Sequence, residues 1–235
     1  AGFIGSHVTE RLLSRGDTVV GLDNFEPFYP RDVKERNLEV ARRHPSFRLI
    51  EGDIRNADTF ARVFEETRPD AVIHLAAKAG VRPSLEDPRG YVEANVTATV
   101  NLLLACSRFP IRHLVFASSS SVYGDAAPPP FREDDITDQP ASPYAATKKA
   151  GELLCFTYHR LLQLPITCLR FFTVFGPRQR PDLAINKFVR LIEAGQPIPF
   201  FGDGTTSRDY TYVSDTVDGI LAALDHPDGY QIYNL

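Results

Sequence analysis

The sequence predicts an α/β fold built on a doubly wound parallel sheet, and three observations point there. Apolar, β-branched runs alternate with amphipathic stretches almost from end to end, as repeated strand-helix units require. Two of the runs, "AVIHLA" and "HLVFAS", are nearly continuous in apolar residues, which suits parallel strands covered on both faces. The first amphipathic stretch opens on Gly2 and Gly5, residues that let a bound group approach a helix N-terminus closely.

Taken in order, strands are expected over residues 18–22, 47–51, 71–75, 113–117 and 166–171, with helices over 3–14, 31–43, 57–66, 89–107 and 144–162. After Phe172 the alternation gives way to loops, with a helix near 185–194, short strands near Ile198 and Arg208, and a helix near 214–224. Residues 1–172 are read as one domain, and 173–235 as part of a smaller C-terminal lobe with segments that return to the sheet. Residues 125–143 carry three consecutive prolines and an acidic patch, the composition of a long loop. Loops of that length within a domain are usually functional.

Composition narrows the classes. With 43% hydrophobic and 24% charged residues the chain is neither disordered nor fibrous. A net charge of −4 with scattered Lys and Arg offers no field for nucleic acid. No run approaches the ~20 apolar residues that span a bilayer, and no basic-then-apolar leader opens the chain, so a cytoplasmic protein is expected. Cys106, Cys155 and Cys168 lack CxxC spacing, and the six histidines form no ligand pair at helical spacing, so neither disulfides nor a metal are expected. The sequence contains no Met and opens inside a motif. It is read as a fragment lacking a first strand and a C-terminal end, expected to bind a dinucleotide poorly on its own.

The glycine motif reads as the start of a Rossmann-like, dinucleotide-binding sheet. Gly2, Phe3, Ile4 and Gly5 would bring the backbone and the helix dipole to a pyrophosphate. The next strand ends in Asp23 and Asn24, and Asp23 follows Gly5 by 18 residues. A carboxylate about 20 residues on accepts the adenosine ribose hydroxyls and would repel a 2′-phosphate, which favours NAD over NADP. The 47–51 strand leads to Asp53 and Ile54, placed beside the adenine; taken alone, Asp53 reads as a helix N-cap. The 71–75 strand leads through Leu75, Ala76 and Ala77 to Lys78, where small residues admit a flat ligand or simply pack closely.

Tyr144 and Lys148 of "SPYAATKKAGE" lie four residues apart at the start of a helix, hence on one face. A phenol with a reference pKa near ~10 needs an adjacent ammonium, and a positive nicotinamide, to act as a base at neutral pH. The Tyr-Lys pair then suits a proton shuttle on a hydroxyl. Upstream, "VFASSSSVYG" is a strand running into Ser118, Ser119, Ser120 and Ser121, which places hydroxyls at the carboxyl edge of the sheet, where ligands bind. The plainer readings are a solvated helix face and a serine-rich turn.

The ordered set GFIG, LDN, GDI, HLAA, SSSSVYG, YAATK and RDYTYV, spread over the whole chain, resembles the nucleotide-sugar epimerase/dehydratase family of extended short-chain dehydrogenases. The resemblance implies a triad of Ser119, Tyr144 and Lys148, with Ser120 and Ser121 left as alternatives to Ser119, and cofactor-side roles for Asn95 and Phe171. Dehydratases of the family carry Asp-Glu where this chain has Ser120 and Ser121, so the resemblance implies epimerisation rather than elimination. The segments "LRFFTVFGPRQRPDLA" and "FFGDGTTSRDYTYVSD" are similar to those of the UDP-glucuronate 4-epimerases. By that likeness Thr173 lies near the sugar, Arg180 meets substrate anions, Arg208 clamps the diphosphate and Phe201 faces the uracil. For Arg208 a salt bridge to Asp209 or Asp215 is the plainer reading. A UDP-glucose 4-epimerase, a decarboxylating relative and a catalytically silent NAD-binding protein remain open. Family members often pair through two long helices, here 89–107 and 144–162, so a homodimer is expected.

Overall fold

The computed structural model describes residues 1–125, 127–199, 203–204 and 207–235. Its elements run α1 (Phe3–Ser14), β1 (Val19–Asp23), α2 (Arg31–Asn37), α3 (Glu39–Arg42), β2 (Phe47–Glu51), α4 (Ala57–Thr67), β3 (Ala71–His74), α5 (Val81–Glu86) and α6 (Pro88–Val92). A π-helical turn (Glu93–Thr97) leads into α7 (Ala98–Arg108), followed by β4 (His113–Ser119) and a 3₁₀ turn (Ser120–Tyr123). Then come α8 (Pro143–Leu162), β5 (Ile166–Phe171), β6 (Thr173–Phe175), α9 (Ala184–Glu193), β7 (Tyr210–Tyr212), α10 (Val213–Asp225) and β8 (Tyr230–Asn234).

Every described strand pairing is parallel. β1 pairs with β2; β3, β4, β5 and β8 form a four-stranded sheet in that order; β6 and β7 make a short pair of their own. All seven residues of β4 are buried, and successive side chains go to opposite sides, as the two-residue period of a strand demands. Val115 joins a core with Phe3 and Val8 of α1 and Val217 and Ile220 of α10. Leu114 and Phe116 join a second core with Phe60 and Phe64 of α4, Leu102 and Leu103 of α7, and Cys155 of α8. Two cores, one on each face, make the sheet doubly wound and aim its carboxyl ends at a common edge.

Several elements differ from expectation. The single helix over 31–43 is two, because Leu38 turns to φ −98°, ψ −1° between them and buries its side chain. The 89–107 helix is a rod interrupted by the π turn. The strand expected near Arg208 is β7, and near Ile198 no strand occurs among the described residues. Neither α5, β6 nor β8 was anticipated, and β8 extends the main sheet beyond β5. Among the described residues no helix is long and apolar enough to cross a membrane, and no group of His, Cys, Asp and Glu side chains could hold a metal ion. All three cysteines are free and buried.

Two layers approach closely at Gly151 of α8, where an added Cβ would lie 2.4 Å from Cζ of the buried Phe116 on β4. Gly151→Ala is expected to destabilise the fold by about 1–3 kcal/mol through overpacking. That exceeds the ~0.5–1 kcal/mol by which Ala favours a helix interior over Gly, and urea unfolding midpoints will register the difference.

Candidate active site

The carboxyl end of β4 carries the serine run. Ser118 is buried and its Oγ donates to Oε1 of Glu152 at 2.6 Å. Ser119, the last residue of the strand, faces the other way; its Oγ accepts the Ser121 N–H at 3.1 Å. Ser120 and Ser121 are half-buried in the 3₁₀ turn. Opposite them α8 begins with Ser142 as N-cap, accepting the Ala145 N–H at 3.1 Å, and Pro143 in its first turn. This start places Tyr144 beside the strand end, with Ser119 against its phenol. One turn on, Lys148 is buried, its Nζ donating to the Ala117 carbonyl at 2.7 Å and lying 5.5 Å from the Phe116 ring centroid.

The electrostatics depart from the expected pairing. Burial raises the Tyr144 phenol above its ordinary value, and the groups that oppose this are the Ser119 hydroxyl and the Arg180 guanidinium. The Lys148 ammonium is turned onto the β4 carbonyl, and burial lowers its own pKa to about 8. His74 behind it is kept neutral, lowered to about 3 by burial and by the Lys148 charge.

On the expected cofactor side, α1 starts at Gly2 with no side-chain cap and no acid in its first turn. Asp23 ends β1, its Oδ1 accepting the Phe25 N–H at 2.7 Å. Asn24 donates to Asp53 at 3.2 Å. Asp53 is held at about 2 by its hydrogen bonds to Arg55, and it is not a helix cap: Asn56 caps α4, accepting the Asp58 N–H at 2.9 Å. Ile54 packs against the second core, while Leu75 and Phe171 pack against the first. Ala76 and Ala77 are half-buried in the loop after β3. Lys78 pairs with Asp87 at 2.7 Å. Asn95, buried in the π turn, accepts the Lys78 N–H at 2.8 Å and donates both to the Lys78 carbonyl and to Thr147 Oγ1, each at 2.9 Å.

On the expected substrate side, Thr173 opens β6 and its N–H bonds the Asp209 carbonyl at 3.2 Å. Arg180 bonds Asp182 at 3.0 and 2.7 Å, stacks 5.1 Å from the Phe28 ring centroid, and reaches Tyr144 electrostatically. Arg208 is exposed and donates to the Ser207 carbonyl at 2.7 Å; among the described residues it meets neither Asp209, Asp215 nor the Tyr144 cluster. Phe201 lies outside the described residues.

A strand-end hydroxyl, a helix-borne Tyr and Lys, and an uncapped glycine-led helix thus meet on one sheet edge. The sequence profile of the NAD dependent epimerase/dehydratase family matches residues 1–235. The chain belongs to that family. It is 47% identical over 235 residues to the UDP-glucuronate 4-epimerase of Thermodesulfobacterium geofontis, covering 100% of this chain and 72% of the relative. It is 48% identical over 229 residues to UDP-glucuronate 4-epimerase 3 of Arabidopsis thaliana, covering 96% of this chain and 53% of that one. Its fold matches the crystal structure of UDP-glucuronic acid 4-epimerase from Bacillus cereus in complex with UDP-glucuronic acid and NAD. That match has a TM-score of 0.92 and 39% identity, over 99% of this chain and 74% of that one.

The donor set suits the family's cofactor. With no cap and no first-turn acid, the N–H groups at the start of α1 can face a pyrophosphate. Asp23 offers a carboxylate at a strand end, where a ribose diol is held. Lys148 and Asn95 flank the Tyr144 side.

Sequence reasoning missed a buried ion pair beneath the strand end. Arg170 of β5 meets Glu152 of α8 through two bonds of 2.9 and 3.0 Å, both side chains 1% exposed. Arg170 also donates to Tyr123 Oη at 3.0 Å, and Tyr123 donates to Asn234 at 2.7 Å. The available signal was a charged residue inside the apolar run "TCLRF". Burial raises the Glu152 carboxyl, but Arg170 and Ser118 outweigh it, so the net shift is downward. The stabilisation linked to that shift is therefore present above the unfolded carboxyl value of about 4.3 and lost as pH falls through the folded value. Glu152→Ala should cost about 3–5 kcal/mol at pH 7 by leaving Arg170 buried and unpaired, with the deficit shrinking only below about pH 4 in urea titrations.

Proposed function

We propose that the protein interconverts UDP-glucuronate and UDP-galacturonate by NAD-dependent epimerisation at C4 of the sugar. The observation that supports this most is the meeting of Ser119, Tyr144 and Lys148 at the carboxyl end of β4, with hydroxyls rather than carboxylates at Ser120 and Ser121. Elimination of water from the sugar needs an acid and a base beyond Tyr144, and those two positions hold neither. The kinship with UDP-glucuronate 4-epimerases supports the choice of sugar.

NAD, when bound, supplies a hydride acceptor for C4 and returns that hydride to the opposite face. The residues proposed to hold it are Gly2, Phe3, Ile4 and Gly5 at the pyrophosphate, Asp23 and Asn24 at the ribose, and Asp53 and Ile54 at the adenine. Leu75, Ala76, Ala77, Lys78, Asn95 and Phe171 complete its site. Tyr144 takes the C4 hydroxyl proton as the alcohol becomes a ketone and gives it back when the ketone is reduced. Ser119 shares a hydrogen bond with the same oxygen. Lys148, anchored on the Ala117 carbonyl, fixes the helix face that carries Tyr144 and offers its remaining N–H groups to the nicotinamide ribose. Thr173, Arg180 and Arg208 are proposed to meet the uronate and the diphosphate, and Phe201 the uracil. For Arg180 this requires exchanging Asp182 for a substrate anion.

The setting proposed is the cytoplasm, and the assembly a homodimer through α7 and α8, whose exposed Leu104, Leu153, Phe156 and Leu161 would be covered by the same helices of a second copy.

In the full-length protein, Tyr144→Phe should lower kcat by roughly 10²–10⁴-fold, the usual contribution of a positioned acid-base group, while NAD binding persists. UDP-glucuronate should be turned over in preference to UDP-glucose. Equal turnover by Tyr144→Phe, or a preference for UDP-glucose, would refute the respective half of the proposal.

A further inference from the structure

The proton shuttle assigned above needs its phenol held in one orientation, and the structure contains a device for this on α6. Tyr91 is almost fully buried, and its ring meets that of Tyr144 edge to face, with centroids 6.2 Å apart and planes at 81°. Its hydroxyl is already engaged, donating to the Ala79 carbonyl at 3.1 Å. Gly80, at φ +120°, a conformation that favours glycine, turns the chain beside that hydroxyl. Four residues along the same rod, Asn95 grips Lys78 on one side and Thr147 on the other.

The two residues form parallel rungs. Each joins α8, at Tyr144 or Thr147, to the turn 78–80 that follows β3. Edge-to-face contact is a preferred geometry of two rings, which restricts the Tyr144 ring to one setting. We propose that Tyr91 is a positioning residue for Tyr144, its ring aiming the phenol at Ser119 while its hydroxyl locks the 78–80 turn to the same helix. Tyr91 does not exchange protons itself, since burial pushes its own pKa up to about 12. The inference rests on the reading of Tyr144 as the base.

The test is steady-state kinetics of the full-length protein with NAD and UDP-glucuronate, using Tyr91→Leu, Tyr91→Phe and, as reference, Tyr144→Phe. Tyr91→Leu should lower kcat by about 10- to 100-fold, the scale on which misplacement of a reacting group costs rate, with KM changed less than about threefold. Tyr91→Phe keeps the ring and should hold kcat within about threefold of the parent. The groups facing the phenol are Ser119 from β4, Arg180 from the loop after β6 and Tyr91 from α6, with Asp182 beyond Arg180 and the Lys148 ammonium one turn along its own helix, bonded to the Ala117 carbonyl. Removing the ring admits water to the phenol and relieves the burial that raises it, so the acid limb of the kcat profile should move to lower pH. A structural defect alone would leave that limb in place. If Tyr91→Leu does not fold, Tyr91→Met fills the volume without an aromatic edge and is read in the same way. Parent-like kcat and an unmoved limb in the Leu or Met variant, with Tyr144→Phe inactive, would overturn the role of Tyr91 alone; an active Tyr144→Phe would overturn the base assignment beneath it.

Discussion

The packing of one helix, α8, onto one strand, β4, is the constraint on which the remaining features of the site depend. Within two turns of that helix, Lys148 bonds the Ala117 carbonyl, Gly151 closes on Phe116, and Glu152 takes the Ser118 hydroxyl. The three contacts fall on consecutive strand residues, so helix and strand cannot slide past each other without breaking all of them. Because the strand is buried on both faces, it transmits this fixed register to Ser119, and because the helix is rigid, it transmits it back to Tyr144.

Charge is distributed unevenly around this contact. The Glu152 and Arg170 pair is buried beneath the strand end, where each side chain satisfies the other. Above it, Lys148 and Tyr144 hydrogen-bond to neutral groups, and burial disfavours the charged form of both: the lysine is lowered and the tyrosine raised. The paired charges hold the framework, while the unpaired groups have protonation equilibria that a bound ligand can shift. A positive ring arriving beside Tyr144 would act in the direction that Arg180 already acts.

Much of this was legible in the sequence. Strands at 47–51 and 166–171 and the helix at 3–14 have the expected bounds, because apolar runs between clear breakers leave little freedom. The Tyr144 and Lys148 pair and the serine run were legible because few folds require them in that order. Less visible were features without a periodic signal. β8 is five residues long and its pattern is set by pairing with β5 rather than by its own composition. The break at Leu38 follows from tertiary burial, which no local propensity encodes. Helical spacing fixes which face a residue occupies, not what its terminal atom touches, so the bond from Lys148 to the Ala117 carbonyl had no signal in the sequence. Tyr91 carried no motif of its own, and its link to Tyr144 spans 53 positions.

The π turn at Glu93–Thr97 carries one further consequence. A π turn holds one residue more than the α-helical path around it, and each α-helical residue advances the helix by about 100°. Losing a single residue between Glu93 and Thr97 would restore regular winding and leave Tyr91 and α7 seated, but it would close the widened turn from which Asn95 reaches Lys78 and Thr147. The segment is therefore constrained twice, in its length and in the amide at Asn95, because either change cuts the bridge between the turn after β3 and α8.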